Sequence, residues 1–226
     1  MRILAVFARW PLLGQAKTRL APALTPALAH QLHVAMLNDA LDAMRGAAAE
    51  RRTLWWAGAP SDRDGFLVPE GVEAFDQGSG DLGDRLAHAF STLHRTPDAR
   101  VIVIGSDCPW LDAAALDRAF EAMERCDAVV GPAGDGGFHL LGLGLNAAGV
   151  LPALFRGIPW STERTGDAML GSLRAASLSV ELLPSATDID VPADVIEAVR
   201  RSMRDPAGAA HTRAALIAMG LLPSRG

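Results

Sequence analysis

The chain has 226 residues, of which 50% are hydrophobic and 21% are charged, which is enough apolar material for one well-buried core. Its net charge of -5 at pH 7 argues against nucleic-acid and membrane-surface binders, because both need a basic field. The apolar start at 3–8 is too short for a signal peptide or a membrane span. We therefore expect one cytoplasmic domain, residues 1–226, with a small-molecule partner.

Short β-rich apolar runs alternate with helical stretches along the chain. The strands are predicted at 3–8, 53–58, 101–105, 127–131 and 138–143. Helices are predicted where apolar residues recur three or four positions apart, at 26–46, 81–95, 113–125, 163–175, 192–204 and 209–219. This alternation predicts an α/β fold with a mostly parallel sheet. Because 138–143 follows its predecessor too closely for a helical crossover, we also expect an antiparallel pair.

Open α/β sheets bind ligands at the carboxyl ends of their strands, and "PLLGQAKTRL" at 11–20 follows the first strand. Gly14 would let backbone N–H groups approach an anion, and Lys17 and Arg19 would supply positive charge. The segment is not a P-loop, because Ala16 and Pro11 stand where that motif requires glycine. The alternative is a solvated basic turn before a helix.

A stronger pattern is "VIVIGSDCPWL" at 101–111. Asp107 comes just past a buried strand, where a carboxylate can hold a hard divalent cation that neutralises a diphosphate. The alternative is a turn or a helix cap. Asp112, directly before a helical stretch, is the better candidate for the cap.

The stretch "GPAGDGGFHLLGL" at 131–143 places an acidic residue among glycines. Asp135 could bind a hydroxyl group, and Gly136 and Gly137 would allow the backbone to approach a ligand closely. A plain glycine-rich hairpin turn explains the same residues equally well.

In "ATDIDVPADV" at 186–195, two aspartates alternate before a predicted helix. Alternation in an extended segment puts Asp188 and Asp190 on the same side, where together they could complete a metal site. One of them could instead cap the helix that starts at Pro192.

Six motifs carry a resemblance to a known family: "PLLGQAKTRL", "QGSGDLGDRL", "IGSDCPWL", "GPAGDGGFHLLGL", "IPWS" and "DIDVPADV". In this order they resemble a bacterial family of GT-A-like transferases over residues 3 to 200. Some members are described as arsenosugar-biosynthesis glycosyltransferases, and the family is related to 2-phospho-lactate guanylyltransferase. The chain departs mildly from it at Leu13, Ala16 and Phe138, where proline, valine and tyrosine are usual.

The resemblance implies a three-layer αβα domain with a mixed, mostly parallel sheet, of the nucleotide-diphospho-sugar transferase type. It implies that the loop with Gly14, Lys17 and Arg19 binds nucleotide phosphates. It also makes Asp107 a catalytic residue and a ligand of Mg²⁺ or Mn²⁺. Asp188 and Asp190 are then further candidate ligands, and Asp135 is a second candidate catalytic residue beside the substrate-binding glycines 136 and 137.

The resemblance further implies that "QGSGDLGDRL" at 77–86 is a second nucleotide-binding element. Gln77, Asp81 and Arg85 are its candidate contacts. The alternative for this segment is a strand end followed by a helix cap at Asp81.

Two reactions fit such a site. A glycosyltransferase would move a sugar from a nucleotide-sugar donor to a small-molecule acceptor and release a nucleoside diphosphate, and the family members favour this reaction. A nucleotidyltransferase would join a nucleotide to a small phosphorylated acid and release pyrophosphate, and Lys17 and Arg19 suit its triphosphate. A catalytically silent nucleotide-binding module is a third hypothesis, against which the acidic motifs at 107, 135, 188 and 190 argue.

Overall fold

The computed structural model describes residues 1–59 and 68–223, and within them seven strands form one sheet. These are β1 (Arg2–Arg9), β2 (Arg51–Ala57), β3 (Val72–Asp76), β4 (Arg100–Gly105), β5 (Ala128–Pro132), β6 (Phe138–Leu143) and β7 (Val180–Leu182). Their order across the sheet is β3-β2-β1-β4-β6-β5-β7. Strand β6 runs antiparallel to β4 and β5, and the other neighbouring pairs are parallel. The predicted mixed sheet with an antiparallel pair is confirmed.

The helices lie between the strands and after the last one. They are α1 (Pro26–Gly46), α2 (Leu82–Leu93), α3 (Ala113–Ala122), α4 (Leu151–Leu154), α5 (Thr165–Ala175), α6 (Pro192–Arg204) and α7 (Ala210–Ala218). Helix α1 has the predicted bounds because Thr25 caps it, accepting a hydrogen bond from the backbone N–H of Leu28, and Pro26 is its first residue. The four-residue α4 was not predicted.

Strand β1 illustrates why both faces of the sheet are covered. Leu4 and Val6 pack into a core with α1 and α3, whereas Ile3 and Ala5 point to the opposite core with α2 and α5. All four side chains are fully buried. Successive residues of a strand point to opposite faces, so a continuous apolar run needs helices on both sides. The predicted three-layer αβα arrangement is therefore confirmed.

Two strands were missed in the sequence, and both lie at the sheet edges. Most residues of β3 and β7 are only partly buried, so neither strand has the continuous apolar run of a central strand. In the part of the chain that the structure describes, no helix is both long and apolar enough to cross a membrane. A single domain over residues 1–226 and a cytoplasmic location stay predictions.

A third apolar cluster joins distant parts of the chain beside the sheet. Leu20 and Leu24, from the segment between β1 and α1, pack with Ile189, Val195 of α6 and Leu216 of α7. Because Ile189 is almost completely buried, it anchors the segment before α6 against the loop after β1. This packing brings Arg19 and Asp190 together across 171 positions of sequence.

Candidate functional site

Five loop segments meet at one edge of the sheet. They follow β1, β3, β4 and β5 or precede α6, and cover residues 10–20, 77–86, 106–112, 133–137 and 186–190. The carboxyl ends of parallel strands lie at the same edge, which is where open α/β sheets bind ligands. The structure therefore gathers all the predicted site segments in one place.

The loop after β1 is held in place by helix α1. The Nε2 atoms of His30 and His33 donate to the carbonyl oxygens of Pro11 and Arg9, each at 3.0 Å. Gly14 has a φ of 76°, a conformation that glycine adopts readily, and the loop tip is exposed. Sequence analysis missed both histidines, since nothing in their spacing marks them as loop anchors.

Lys17 is the only lysine of the 226 residues, beside twenty arginines. Its side chain is only 4% exposed, and its Nζ lies 2.9 Å from Oδ2 of Asp107 and 3.5 Å from Oδ1 of Asp190. Burial by itself would lower the pKa of Lys17, but the negative charges of Asp107 and Asp190 outweigh burial and keep this pKa above its ordinary value. Lys17 is therefore a buried cation between two predicted metal ligands.

Arg19 differs from Lys17 in exposure. Its side chain is 69% exposed and forms an ion pair with the second carboxylate oxygen of Asp190. Arg19 is thus free to contact a ligand from solvent as the structure stands, whereas Lys17 is not.

Asp107 lies directly after β4 with 43% of its side chain exposed. Its backbone carbonyl accepts a hydrogen bond of 3.0 Å from the N–H of Ile189, so the segment before α6 runs beside it. Asp112 caps α3 by accepting from the N–H of Ala115, as predicted. Asp107 therefore does not cap α3.

Asp188 and Asp190 flank the buried Ile189, which fits the predicted alternation. Neither carboxylate caps α6, because Val191 occupies the cap position. Asp194, in the first turn, accepts from the backbone N–H groups of Asp190 and Val191 at 2.9 and 2.8 Å. Burial raises the pKa of Asp188, and the negative charge of Asp135 raises this pKa further. The two aspartates thus remain free of the capping role left open by the sequence.

In the second predicted nucleotide-binding segment, residues 77–86, two of the three candidate contacts make hydrogen bonds that stabilise the fold. Gln77 is buried and its Nε2 donates to the carbonyl oxygens of Ala8 and Trp55, at 3.3 and 3.0 Å. Asp81 caps α2 in a reciprocal pair with Asp84, each side chain accepting from the other's backbone N–H. The helix cap that the sequence left as an alternative is present.

The glycine-rich turn between β5 and β6 packs against the loop before α5. Asp135 accepts a hydrogen bond of 2.9 Å from the N–H of Gly137. Gly136 has a φ of 86°, and a Cβ there would clash with the backbone of Glu163. The close approach that requires glycine at this position is therefore made by the protein's own chain.

Two cavities open at this edge and share Leu82, Gly105, Asp107 and Asp190. The first-strand cavity, of about 350 Å³, is lined also by residues that include Phe7, Arg9, Lys17, His33, Gln77 and Arg85. The hairpin cavity, of about 430 Å³, is lined also by residues that include Arg19, Asp135, Gly137, His139, Glu163, Thr165 and Asp188. Most of the predicted residues thus divide between two adjoining spaces that meet at Asp107 and Asp190, whereas Gly14, Asp81 and Gly136 line neither.

Several lining residues were missed by sequence reasoning. Ser161, Thr162 and Glu163 come from the loop after "IPWS", a motif noticed only for its resemblance. Trp160 packs so closely over Gly83 of α2 that a Cβ at that position would clash with the indole. This contact holds the loop over the site. In the sequence, the only sign of the contact is a glycine in the first turn of a predicted helix, which is a weak signal.

The acidic residues at this edge have the chemistry of ligands for a divalent cation. Their carboxylate oxygens are the ligands that Mg²⁺ and Mn²⁺ prefer. Among residues 1–59 and 68–223, however, no three His, Cys, Asp or Glu side chains form a group that could hold one metal ion. The predicted set of Asp107, Asp188 and Asp190 is therefore not preassembled. The ammonium of Lys17 lies between Asp107 and Asp190, so two of the three predicted ligands face one position that accommodates a compact cation, and their chemistry suits the predicted metal.

A sequence profile of DUF2064, described as an uncharacterized protein conserved in bacteria, matches residues 40–162, more than half of the chain. The chain belongs to the DUF2064 family. In this DUF2064 protein the matched range contains the segments at 77–86, 106–112 and 133–137, and the loop after β1 lies outside it. No curated protein matches the sequence significantly.

Solved structures extend the similarity over most of the chain. A Desulfovibrio desulfuricans G20 protein, provisionally described as a nucleotide-diphospho-sugar transferase, is 26% identical, with a TM-score of 0.88 over 97% of this chain and 95% of that one. A nucleotidyl transferase from Methanothermobacter thermautotroptrophicus is 14% identical, with a TM-score of 0.62 over 90% and 98%. A manganese complex of a Mycobacterium tuberculosis H37Rv protein is 19% identical, with a TM-score of 0.54 over 90% and 98%.

These similarities confirm the predicted nucleotide-diphospho-sugar transferase fold of this DUF2064 protein. The description of the Desulfovibrio protein supports the predicted transferase class. The roles of the individual site residues stay predictions.

Proposed function

We propose that this protein is a metal-dependent glycosyltransferase that uses a nucleotide-sugar donor and an uncharged, hydroxyl-bearing small-molecule acceptor. The observation that carries the proposal is the charge of the hairpin cavity. Among the described residues its lining has one guanidinium, Arg19, and five carboxylates: Asp107, Asp135, Glu163, Asp188 and Asp190. A phosphorylated acid would be repelled there, whereas a neutral hydroxyl compound would find hydrogen-bond acceptors.

The nucleotide part of the donor binds in the first-strand cavity. Arg85, in the lining of this cavity, contacts its phosphates, and Arg19 reaches them from the adjoining hairpin cavity beside the shared Asp190, because guanidinium groups match phosphate geometry and need no deprotonation. Gly14 and its loop, with Lys17, cover the phosphates from the β1 side. Gln77 and Asp81 shape the wall of this cavity through the hydrogen bonds that fix β3 and α2.

Asp107, Asp188 and Asp190 would hold Mg²⁺ or Mn²⁺. When bound, the metal would supply charge neutralisation for the departing diphosphate. The presence of manganese in a structure with the same fold is consistent with this choice of ions.

In the reaction, the hydroxyl oxygen of the acceptor forms a bond to the anomeric carbon of the sugar while the bond from that carbon to the diphosphate oxygen breaks. The nucleoside diphosphate leaves with the bonding electrons. Asp135, which lines the hairpin cavity, takes the acceptor's proton on a carboxylate oxygen. Gly136 and Gly137 keep the turn close to the loop at 161–165, so that the acceptor is held beside Asp135.

Nucleotidyl transfer is the second candidate, and the cations of the first loop favour it. Lys17 and Arg19 would then meet the β- and γ-phosphates of a nucleoside triphosphate, and pyrophosphate would leave after attack at the α-phosphorus. The acidic hairpin cavity makes a phosphorylated acid a poor acceptor, which is why this reaction is placed second.

The leaving group tests the proposal. We expect slow Mg²⁺- or Mn²⁺-dependent release of nucleoside diphosphate from a nucleotide sugar, with water replacing the acceptor. Asp107→Asn should abolish this release while the protein stays folded, because the variant keeps the shape and removes the anionic ligand. Loss of the ion pair with the buried Lys17 should lower the thermal unfolding midpoint. Asp167→Asn, an exposed carboxylate on α5 that lines neither cavity, is the matched control and should keep full activity.

A parallel assay measures pyrophosphate release from the four nucleoside triphosphates with small phosphorylated acids. Pyrophosphate release that requires such an acid would overturn the glycosyltransferase proposal in favour of the second candidate. Full activity of Asp107→Asn across a Mg²⁺ and Mn²⁺ titration would remove Asp107 from the metal site.

A further inference from the structure

The backbone of Lys17 is in a conformation that lysine rarely adopts. Its φ of 55° lies in the left-handed region, which glycine enters freely and a residue with a Cβ enters only at an energetic cost. This conformation precedes the short 3-10 turn at Thr18–Leu20, whose Leu20 is fully buried in the third apolar cluster. Strain of this kind persists only where the surrounding contacts compensate for it, and here the ion pairs of the side chain provide that compensation.

The choice of lysine is as unusual as its conformation. Every other basic side chain apart from histidine in this sequence is arginine. A guanidinium is planar and broad, whereas an ammonium is a compact point charge, closer in size to a metal ion. A compact cation is what the space between the carboxylates of Asp107 and Asp190 accommodates.

The positions of the ammonium and of a metal ion overlap. Mg²⁺ and related ions lie about 2.0 to 2.6 Å from carboxylate oxygens. A metal bound to Oδ2 of Asp107 and Oδ1 of Asp190 would occupy the place of Nζ, which lies 2.9 and 3.5 Å from the same two atoms. The two cations therefore cannot both bind these oxygens.

We propose that Lys17 holds the cation position of the acidic site until metal and nucleotide arrive together, and that the metal then displaces its ammonium towards the nucleotide phosphates. The inference rests on the proposed function and adds to it the order in which metal and nucleotide bind. Metal alone binds weakly, because it must displace an ammonium that is paired with the same two carboxylates. The metal–nucleotide complex binds well, because its phosphates receive the displaced charge.

The surroundings of Lys17 permit this exchange. Its side chain lines the first-strand cavity, so a short movement of its flexible stem brings the ammonium to that space. Arg19 stays paired with the other oxygen of Asp190, so this carboxylate keeps one partner during the exchange. The site thus couples metal binding to nucleotide binding through one side chain.

Binding of Mn²⁺, followed by electron paramagnetic resonance, tests the inference without turnover. Lys17→Met should bind free Mn²⁺ about tenfold tighter than the wild type, since a competing cation is removed from the site. Arg19→Met is the matched control, because it removes one charge from the same cluster but leaves the shared position filled. We expect it to change the affinity for free Mn²⁺ by less than about threefold.

The same titrations are repeated with each of the four ribonucleoside diphosphates. In the wild type the diphosphate that binds should raise the affinity for Mn²⁺, and in Lys17→Met this enhancement should be about tenfold smaller. Two outcomes would overturn the inference and leave the proposed function standing. One is equal affinity for free Mn²⁺ in the wild type and Lys17→Met, and the other is an equal increase in that affinity in Lys17→Met and Arg19→Met. If no variant binds Mn²⁺ with or without nucleotide, the metal-dependent function fails as well.

The unmodified protein offers a second measurement, which does not depend on a variant that folds. With lysine labelled with ¹³C at its ε-carbon, the chain has one lysine signal in a ¹H–¹³C spectrum. Mg²⁺ alone should shift this signal little, whereas Mg²⁺ with a bound nucleoside diphosphate should shift it strongly. A full shift with Mg²⁺ alone, or no shift when both are bound, would contradict the exchange.

Discussion

The two cavities of the site differ more in charge than in size. The first-strand cavity, of about 350 Å³, has Arg9, Lys17 and Arg85 in its lining, and two carboxylates where it meets its neighbour. The hairpin cavity, of about 430 Å³, has Arg19 against five carboxylates. Anions bind where cations converge, so the difference assigns the phosphates to the first-strand cavity and an uncharged partner to the hairpin cavity in the reaction we propose.

The most damaging change to the hairpin cavity after loss of Asp107 should be Asp135→Asn. Asparagine keeps the oxygen that accepts from the Gly137 N–H, but it cannot take a proton. We expect kcat to fall by about a hundredfold or more, the usual contribution of a general base, and the dissociation constant of the nucleotide to stay the same. Steady-state kinetics and calorimetry measure the two quantities.

Glu163→Gln is the matched control for Asp135→Asn, since it removes another carboxylate from the same cavity. It should lower kcat far less, because Glu163 has no assigned proton transfer. Equal losses in both variants would mean that the cavity acts through its total charge, and an unchanged kcat in Asp135→Asn would reduce Asp135 to a turn residue.

The sequence predicted this fold well because the central strands are buried on both faces. A continuous apolar run such as that of β4 is recognisable in the sequence as a buried strand, whereas the half-exposed β3 and β7 have no such run. The carboxylates beyond the strand ends could also be recognised in the sequence, because Asp107 and Asp135 come within a few residues of an apolar run. How these carboxylates divide between the two cavities could not be predicted from the sequence, since it depends on which loops pack together.

The first-strand cavity allows a sharper test of the segment at 77–86. Arg85→Met should weaken nucleotide binding roughly tenfold if the guanidinium contacts phosphate. Asp81→Ala should leave nucleotide affinity unchanged and lower the free energy of unfolding by about 1 kcal/mol, the usual cost of losing a helix cap. Calorimetry and urea denaturation separate these effects. Weaker binding in Asp81→Ala with unchanged stability would reverse the two roles.

The position of Lys17 is the part of the site that the sequence could not predict. Its positive charge was recognised, but the loop pattern suggested an exposed phosphate contact, as Arg19 is in the structure. The burial of Lys17 follows from the third apolar cluster, in which Leu20 packs with Ile189 far along the chain. Long-range packing of this kind leaves no local periodicity, so only the three-dimensional structure brings Lys17 between Asp107 and Asp190.

The smallest expected effect concerns the histidines in the cavity walls. Burial lowers the pKa of His33, which lines the first-strand cavity, despite its hydrogen bond to Arg9. Burial likewise lowers the pKa of His139, which lines the hairpin cavity, despite its bond to Pro132. Both imidazoles are therefore neutral near pH 7, and the charge difference between the cavities comes from the arginines and carboxylates.

These lowered pKa values predict that the folded state loses stability in mild acid. The unfolded chain binds protons at its histidines near pH 6.5, whereas the folded state binds them only at lower pH. The contribution of these histidines to the free energy of unfolding should thus be constant above about pH 7.5 and fall as the pH drops towards about 5.5. Urea denaturation of wild type and His139→Gln measures this slope, and the variant should show a shallower one. The pH range of the measurements stays above the titration of ordinary carboxylates. Equal slopes would mean that His139 has the same pKa in the folded and unfolded states.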